Sequence, residues 1–386
     1  MYEIKTYNKI AGVGLSMFGE NYKISDAAEC PAGALVRSAN LHEESFPESL
    51  AAIARAGAGT NNIPIDRLTE AGVAVFNTPS ANANAVKELV ILGLLLSSRK
   101  VVDGIEWAKG LKGQGDAVPK LVEAGKSAFV GPELRGKTLG VVGLGAIGVL
   151  VANAAHHLGM QVLGYDPFLS LQNAWNLSHH IKRAADVSEI YKSCDYISLH
   201  LPLNKDTKGM INKNCLDMMK KGVRILNFAR DGLVNSDDMI SALSEGKVAS
   251  YVVDFPTDEM LGREGVIAIP HLGASTPESE DNCAVMAAKE LIDYIENGNI
   301  TNSVNLPAAS MARSGETRIC VIHRNVPNML SAITAAVADG GANIENLINK
   351  SRDNYAYTML DVNGCDTAAA ENRLSNTEGV IRVRII

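Results

Sequence analysis

The chain has 386 residues, 46% of them apolar and 20% charged, with a formal net charge of −7. At roughly 100–200 residues per domain this excludes a single small module, and the balance of apolar to charged residues excludes a disordered chain. A mildly acidic sequence with no Lys/Arg run and no apolar stretch near the ~20 residues of a bilayer span predicts neither a nucleic-acid nor a membrane partner.

The N-terminal Met-Tyr-Glu-Ile-Lys has no basic stretch leading into an apolar block, and the cysteines (30, 194, 215, 283, 320 and 365) form no CxxC pair or close His/Cys spacing. These features predict a cytoplasmic protein with reduced thiols and no bound metal. From the start to about residue 97, short apolar stretches at 34–36 and 73–76 alternate with helix-like ones such as 47–56, the pattern of parallel βαβ units. A long helical pattern over 85–110 follows. Next come strand-like segments at 138–142, 161–165, 196–199, 223–228, 250–253 and 266–269, separated by helix-sized stretches. The first of those helices, 147–158, is stopped by Gly159, and the whole alternation predicts an open, doubly wound sheet.

Thr276 followed by Pro277, Glu278, Glu280 and Asp281 marks a helix start, and that helix ends near Asn297-Gly298. Residues 305–316 read as linker. Residues 317–386 then give strand (318–323), helix (329–338), strand (344–349), strand (356–362), helix (367–375) and strand (380–386), the ferredoxin-like βαββαβ order.

Gly143-Leu144-Gly145-Ala146-Ile147-Gly148 follows a strand and opens a helix. Gly143 permits the tight turn, Gly145 lets the backbone approach a pyrophosphate, and Gly148 allows close helix–strand packing. The helix N-terminus offers free N–H groups to the phosphates. Asp166 ends the next strand 18 residues after Gly148, the place of the acid that binds ribose hydroxyls and repels a 2′-phosphate. The cofactor predicted is NAD.

Three polar groups follow later strands: Arg230, Glu259 and His271. A guanidinium can hold a carboxylate in bidentate fashion and polarise a carbonyl. An imidazole can take a hydroxyl proton as hydride leaves, and a neighbouring carboxylate would raise its pKa. Together with the dinucleotide motif they supply what alcohol oxidation by NAD requires.

Asn227-Phe228-Ala229-Arg230-Asp231-Gly232, the segment 254–259, Pro270-His271-Leu272-Gly273 and His200-Leu201-Pro202-Leu203 resemble signatures of the D-isomer-specific 2-hydroxyacid dehydrogenases. Val36-Arg37-Ser38 and Arg55-Ala56-Gly57-Ala58-Gly59 are similar to the substrate segments of the phosphoglycerate dehydrogenases within that family. The segments 321–327 and 341–344 resemble the amino-acid-sensing ACT module that such enzymes carry.

The resemblance implies an α/β fold of two Rossmann-like doubly wound lobes plus a ferredoxin-like ACT domain. Residues 1–97 and 284–307 would form the substrate-binding lobe, 98–283 the NAD-binding domain, 308–316 a linker and 317–386 the regulatory domain. It implies NAD-dependent oxidation of D-3-phosphoglycerate to 3-phosphohydroxypyruvate, the first committed step of L-serine biosynthesis. Arg230 would bind the substrate, with His271 as acid/base and Glu259 as its partner, Asp258 being the alternative partner. The cofactor would be held by the glycine turn with Ala146 and Ile147, and by Asp166, His200, Leu201, Pro202, Thr207, Phe228, Ala229, Asp254, His271 and Gly273. The substrate carboxylate would meet the amides of Ala56, Gly57 and Ala58, Arg37 and Arg55 would face its phosphate, and Ser38 would also bind the substrate. His323, Asn325 and Asn343 would hold an L-serine effector, and the protein would be a homodimer or homotetramer.

Four positions depart from the pattern: Ala146 where Arg is common, Asn61 where Asp is frequent, Pro256 one place early, and Asn328 in place of Gly. Two other readings share the motifs: a dehydrogenase of another 2-hydroxy acid, and a non-catalytic NAD-sensing protein like the C-terminal-binding-protein corepressors. Turnover separates the second from an enzyme.

Overall fold

The computed structural model describes all 386 residues, which divide into two compact units, Met1–Asn82 with Thr276–Ile386, and Ala83–Ser275. None of its helices is long and apolar enough to cross a membrane.

The first unit opens with a parallel sheet of β1 (Tyr2–Thr6), β2 (Tyr22–Ser25), β3 (Gly33–Val36), β4 (Ala52–Arg55) and β5 (Ala74–Asn77), in the order β2-β1-β3-β4-β5. The pattern over 47–56 predicts a helix, but this segment ends in β4 instead. Ala52, Ile53 and Ala54 are each fully buried in the sheet interior between β3 and β5. A strand covered on both faces is apolar throughout, so its sequence lacks the alternation that separates strand from helix.

The second unit begins with α1 (Ala83–Ser98) and continues through α2 (Val101–Lys109) and α3 (Val118–Gly125). The single helix expected over 85–110 is broken at Arg99-Lys100, directly after Ser97 and Ser98. Both of those hydroxyls donate to the Leu94 carbonyl, a local bond that competes with continued helix. Seven parallel strands follow: β6 (Thr138–Val142), β7 (Gln161–Tyr165), β8 (Lys182–Arg183), β9 (Tyr196–Leu199), β10 (Val223–Asn227), β11 (Val248–Val253) and β12 (Val266–Ala268). Their order is β12-β11-β10-β9-β6-β7-β8. The chain moves one way from β6 to β7 and later returns on its other side as β9. The switch point, where such sheets bind ligands, therefore lies beyond the carboxyl ends of β6 and β9. Helix α4 (Ala146–His157) starts there. Val86, Val90 and Leu94 of α1 join Leu139, Val141 and Val149 in one core, which is why α1 belongs to this unit.

Back in the first unit, α5 (Pro277–Asn297) is capped at both ends as its sequence predicts. The Thr276 hydroxyl accepts from the Ser279 amide, and Gly298 closes the helix at φ 70°. Cys283, Ala287, Leu291, Tyr294 and Ile295 pack into the core of the first sheet, so the whole helix belongs here rather than only its part beyond 284. The 308–316 stretch is pinned in place: Ala309 exchanges two backbone hydrogen bonds with Ile300, and Ser314 donates to Asp361.

The remainder is β13 (Thr317–Arg324), α6 (Met329–Ala338), β14 (Asn343–Arg352), β15 (Tyr355–Asn363), α7 (Thr367–Ser375) and β16 (Val380–Ile385), an antiparallel sheet ordered β14-β15-β13-β16. One face carries Ile319, Val321, Leu360 and Val362 against Ile333, Val337 and Leu374 of its helices. The other face, with Cys320, Ile322, Tyr357 and Met359, shares the core of α5. Arg384 donates to the carbonyls of Tyr294 and Ile295, and Arg318 to that of Asn297, so two cations cap the negative end of α5.

Candidate active site

The glycine turn has the geometry its sequence predicts. Gly143 sits at φ 93°, and a Cβ there would lie 2.4 Å from the His200 carbonyl oxygen, across the switch point. A Cβ on Gly148 would lie 1.9 Å from the Gly143 carbonyl oxygen. Around Gly145, by contrast, a Cβ would meet nothing within 4 Å, so the space above this backbone is open. Asp166 is aimed at the turn, accepting from the amides of Leu144 and Phe168 at 2.8 Å each.

The loop after β9 is knit by Thr207, whose hydroxyl donates to the Pro202 carbonyl and accepts from the Asn204 amide. The His200 ring bonds Ser198 at 2.9 Å, and burial depresses its pKa to about 4, so it is neutral at physiological pH. Leu201 packs against the core of this unit, and Phe228 is buried against α1, where a Cβ on Gly93 would come within 2.9 Å of its ring.

Beyond β10, the Asn227 side chain fixes the turn that carries Arg230, accepting from the Ala229 amide and donating to the Arg230 carbonyl. The Arg230 guanidinium is exposed and folds back on the Ala229 carbonyl at 2.6 Å. Asp254, at the end of β11, is 3% exposed and neither carboxyl oxygen has a partner. Burial raises its pKa to about 6, against the opposing pull of Arg230.

The His271 ring packs on Phe255 with centroids 4.3 Å apart. Its pKa is lowered, chiefly by burial and then by Arg230. The expected rise from Glu259 is absent because the pair is not formed. Glu259 is exposed on the turn Asp258–Met260, with its carboxyl held below its ordinary pKa chiefly by its own backbone amide. Asp258 makes no ion pair with the ring either. With Pro256 one place early, Phe255 rather than a carboxylate lies beside the imidazole. Gly273, two residues on, packs against Val86.

In the first unit, Arg37 and Arg55 end neighbouring strands β3 and β4. Asn8 accepts from the amides of Arg37, Ser38 and Ala39 and so fixes the first segment. Arg55 Nε donates to the Arg37 carbonyl and to Asn62 Oδ1, each at 3.1 Å, leaving its two terminal nitrogens unengaged. Burial, with Arg37 nearby, lowers its pKa. Arg37 itself is ion-paired to Glu280 at 2.6 Å.

Gly57 sits at φ 151°, and a Cβ there would strike the Arg55 guanidinium at 2.4 Å. The expectation that the amides of 56–58 all face substrate needs correcting. The Ala56 amide donates to Val36, and that of Gly57 to the Thr78 hydroxyl and the Arg55 carbonyl. The amides of Ala58 and Gly59 are the ones without partners.

The three candidate effector residues do not converge. His323 is 2% exposed with both ring nitrogens engaged, one at the Arg324 carbonyl and one at the Thr358 hydroxyl. Asn325 lies beside the β15 end at Tyr355, while Asn343 pairs with Asn363 at the other end. That separation is about 26 Å at ~3.3 Å per residue. Asn325 donates to the Asp353 carbonyl and Asn343 to Glu345.

Residues 94–273 match the family described as D-isomer specific 2-hydroxyacid dehydrogenase, NAD binding domain. The D-3-phosphoglycerate dehydrogenase of Haemophilus influenzae is 31% identical over 340 residues, covering 85% of this chain and 79% of that one. The chain belongs to the D-isomer-specific 2-hydroxyacid dehydrogenases.

A relative in that family, the D-3-phosphoglycerate dehydrogenase of Pongo abelii, is 33% identical over 304 residues, 76% of this chain and 54% of that one. The chain thus spans about half the length of this and similar curated relatives. The NAD+-bound 3-phosphoglycerate dehydrogenase of Entamoeba histolytica, as a crystal structure, superposes with a TM-score of 0.58 at 26% identity, covering 79% of this chain and 98% of that one. Sequence reading of this family member missed Asn8, Asn62, Thr78 and Glu280. Each acts on a neighbour distant in the chain, and none belongs to a contiguous motif.

Proposed function

We propose that the protein is an NAD-dependent dehydrogenase that oxidises D-3-phosphoglycerate to 3-phosphohydroxypyruvate, the entry to L-serine. The observation that carries this reading is the pair of adjacent strand-end arginines, Arg37 and Arg55, beside the free amides of Ala58 and Gly59. A phosphate of roughly −1.5 to −2 charge is the group that two guanidinium forks suit.

The residues present fit NAD. The open space at Gly145 would admit the pyrophosphate, Asp166 would take the ribose hydroxyls, and the unpartnered Asp254 oxygens would accept from a carboxamide. NAD, when bound, supplies the hydride acceptor. Arg230 would hold the substrate carboxylate and polarise C2–O, and His271 would take the C2 hydroxyl proton as hydride departs. With its pKa lowered, the imidazole is neutral at pH 7 and ready as the base for oxidation.

The Arg37–Glu280 pair favours a second reading, an unphosphorylated 2-hydroxy acid, because it satisfies one guanidinium already. NADH oxidation with 3-phosphohydroxypyruvate against hydroxypyruvate, pyruvate and 2-oxoglutarate tests the choice. Preference for the phosphorylated acid is expected, and equal or better turnover of another keto acid would overturn it.

We read the protein as a homo-oligomer as well. Val101, Val102 and Ile105 are 46%, 45% and 50% exposed, and neither α2 nor α3 buries a residue. Serine sensing through Asn325 and Asn343 would need two copies of the C-terminal module, because one copy holds them at opposite ends of its sheet.

A further inference from the structure

We propose that Glu280 sets how strongly this site discriminates phosphorylated from unphosphorylated substrates, by occupying Arg37 as a placeholder that the substrate phosphate must displace. The inference rests on the phosphorylated-substrate reading above.

Glu280 stands in the first turn of α5, just past the Thr276 cap and Pro277, and its Oε1 lies 2.6 Å from Arg37 Nη2. Each side chain is 42% exposed, so the pair sits at the rim where an incoming anion can reach it. Neither partner's main chain is free to retreat. Arg37 is fixed by Asn8, and its carbonyl accepts from Arg55 and Asn62. Glu280 rides on a 21-residue helix whose far end is clamped by Arg318 and Arg384.

The cluster therefore holds two guanidinium charges and one carboxylate. Arg55 alone lacks a counter-charge, so the resting site is balanced for one more negative charge and not for two. A phosphate dianion gains the second arginine only by breaking the Arg37–Glu280 contact and leaving the carboxylate nearby. A 2-hydroxy acid without phosphate has no group to place there and is indifferent to Glu280. The carboxylate thus weakens binding of the phosphorylated ligand alone.

The test is KM and kcat for 3-phosphohydroxypyruvate and hydroxypyruvate in wild type, Glu280→Gln, Glu280→Ala, Arg37→Gln and the Arg37→Gln/Glu280→Gln double variant, each checked for an unchanged thermal midpoint. Both Glu280 variants should lower KM for the phosphorylated acid about three- to five-fold, the worth of one exposed ion pair, with kcat within about two-fold. KM for hydroxypyruvate should stay put. Arg37→Gln should raise KM for the phosphorylated acid, and adding Glu280→Gln should recover part of that loss, because an unpaired carboxylate then no longer repels the phosphate. Equal changes for both substrates, or no change in either Glu280 variant, would overturn the proposal while leaving the phosphorylated-substrate reading intact. A wild type that prefers hydroxypyruvate would overturn both, and it shows before any variant is made.

Discussion

Replacing Gly145 by Ala separates a cofactor role from a structural one. At this position φ is −68°, a value any residue adopts, and the added Cβ meets no atom within 4 Å. Folding stability should therefore stay within about 1 kcal/mol of wild type, since the loss of chain freedom in the unfolded state offsets a slightly poorer helix cap. A pyrophosphate oxygen accepting from these amides would approach the α-carbon closely, and a methyl there would hold it off. Overfilling a close contact costs about 1–3 kcal/mol, which corresponds to roughly 5- to 150-fold weaker binding. NADH fluorescence titration and a thermal melt, read side by side, give the answer. Gly148→Ala is the contrast, because its Cβ would lie 1.9 Å from the Gly143 carbonyl oxygen and should lower the melting temperature outright. Unchanged NADH affinity in Gly145→Ala, or an affinity loss matched by a large drop in stability, would refute the assignment of that open space to the cofactor.

Two further predictions come from titrating groups. With His271 as the proposed base, oxidation would need its ring unprotonated, and its pKa is lowered by burial and by Arg230, so kcat/KM for oxidation should hold through neutral pH and fall only on an acid limb centred below about 6.5. A limb centred above that value would mean that a carboxylate such as Glu259 reaches the ring in the working enzyme. Asp361 forms a doubly hydrogen-bonded pair with Arg318, at 2.7 and 2.8 Å, with both side chains at most 1% exposed. Burial pushes its carboxyl up, but Arg318 and the Ser314 amide outweigh this and hold it below its ordinary value. Its stabilisation is therefore present above an ordinary aspartate pKa and lost as pH falls through the lowered one. Asp361→Asn leaves a buried guanidinium without its counter-charge and should cost about 3–5 kcal/mol, read by urea denaturation at pH 7; a change under about 1 kcal/mol would contradict it.

The parts of this site that were legible in the sequence are those where one residue type meets a local requirement. Gly143 and Gly148 each mark a place where a side chain would meet backbone, and the requirement is met within one turn. Thr276 and Gly298 announce the ends of α5 because capping is chemistry between near neighbours. Segment 47–56 was not legible, because β4 is buried on both faces and its apolar run carries no period. The break at Arg99-Lys100 hides in two serines that donate to one carbonyl.

Pairings across long separations were the least legible. Glu280 is 243 positions from Arg37, and only folding brings them within 2.6 Å. The expected Glu259–His271 contact is absent although the two are only 12 positions apart, since spacing along the chain does not say which way an exposed side chain will point. His323 reads as a ligand group in isolation, yet Thr358, on the neighbouring strand, has already taken one of its nitrogens.

Under the proposed function, Arg230 and His271 perform catalysis rather than shape a nucleotide-binding surface. The most direct test is Arg230→Lys, which keeps the charge and removes the planar fork, measured for steady-state turnover of 3-phosphohydroxypyruvate and, on the same sample, for NADH affinity. This catalytic role predicts that turnover falls by two orders of magnitude or more, roughly the loss of 3 kcal/mol in the transition state, while NADH binding stays within a few-fold of wild type. Near-normal turnover in that variant would contradict it.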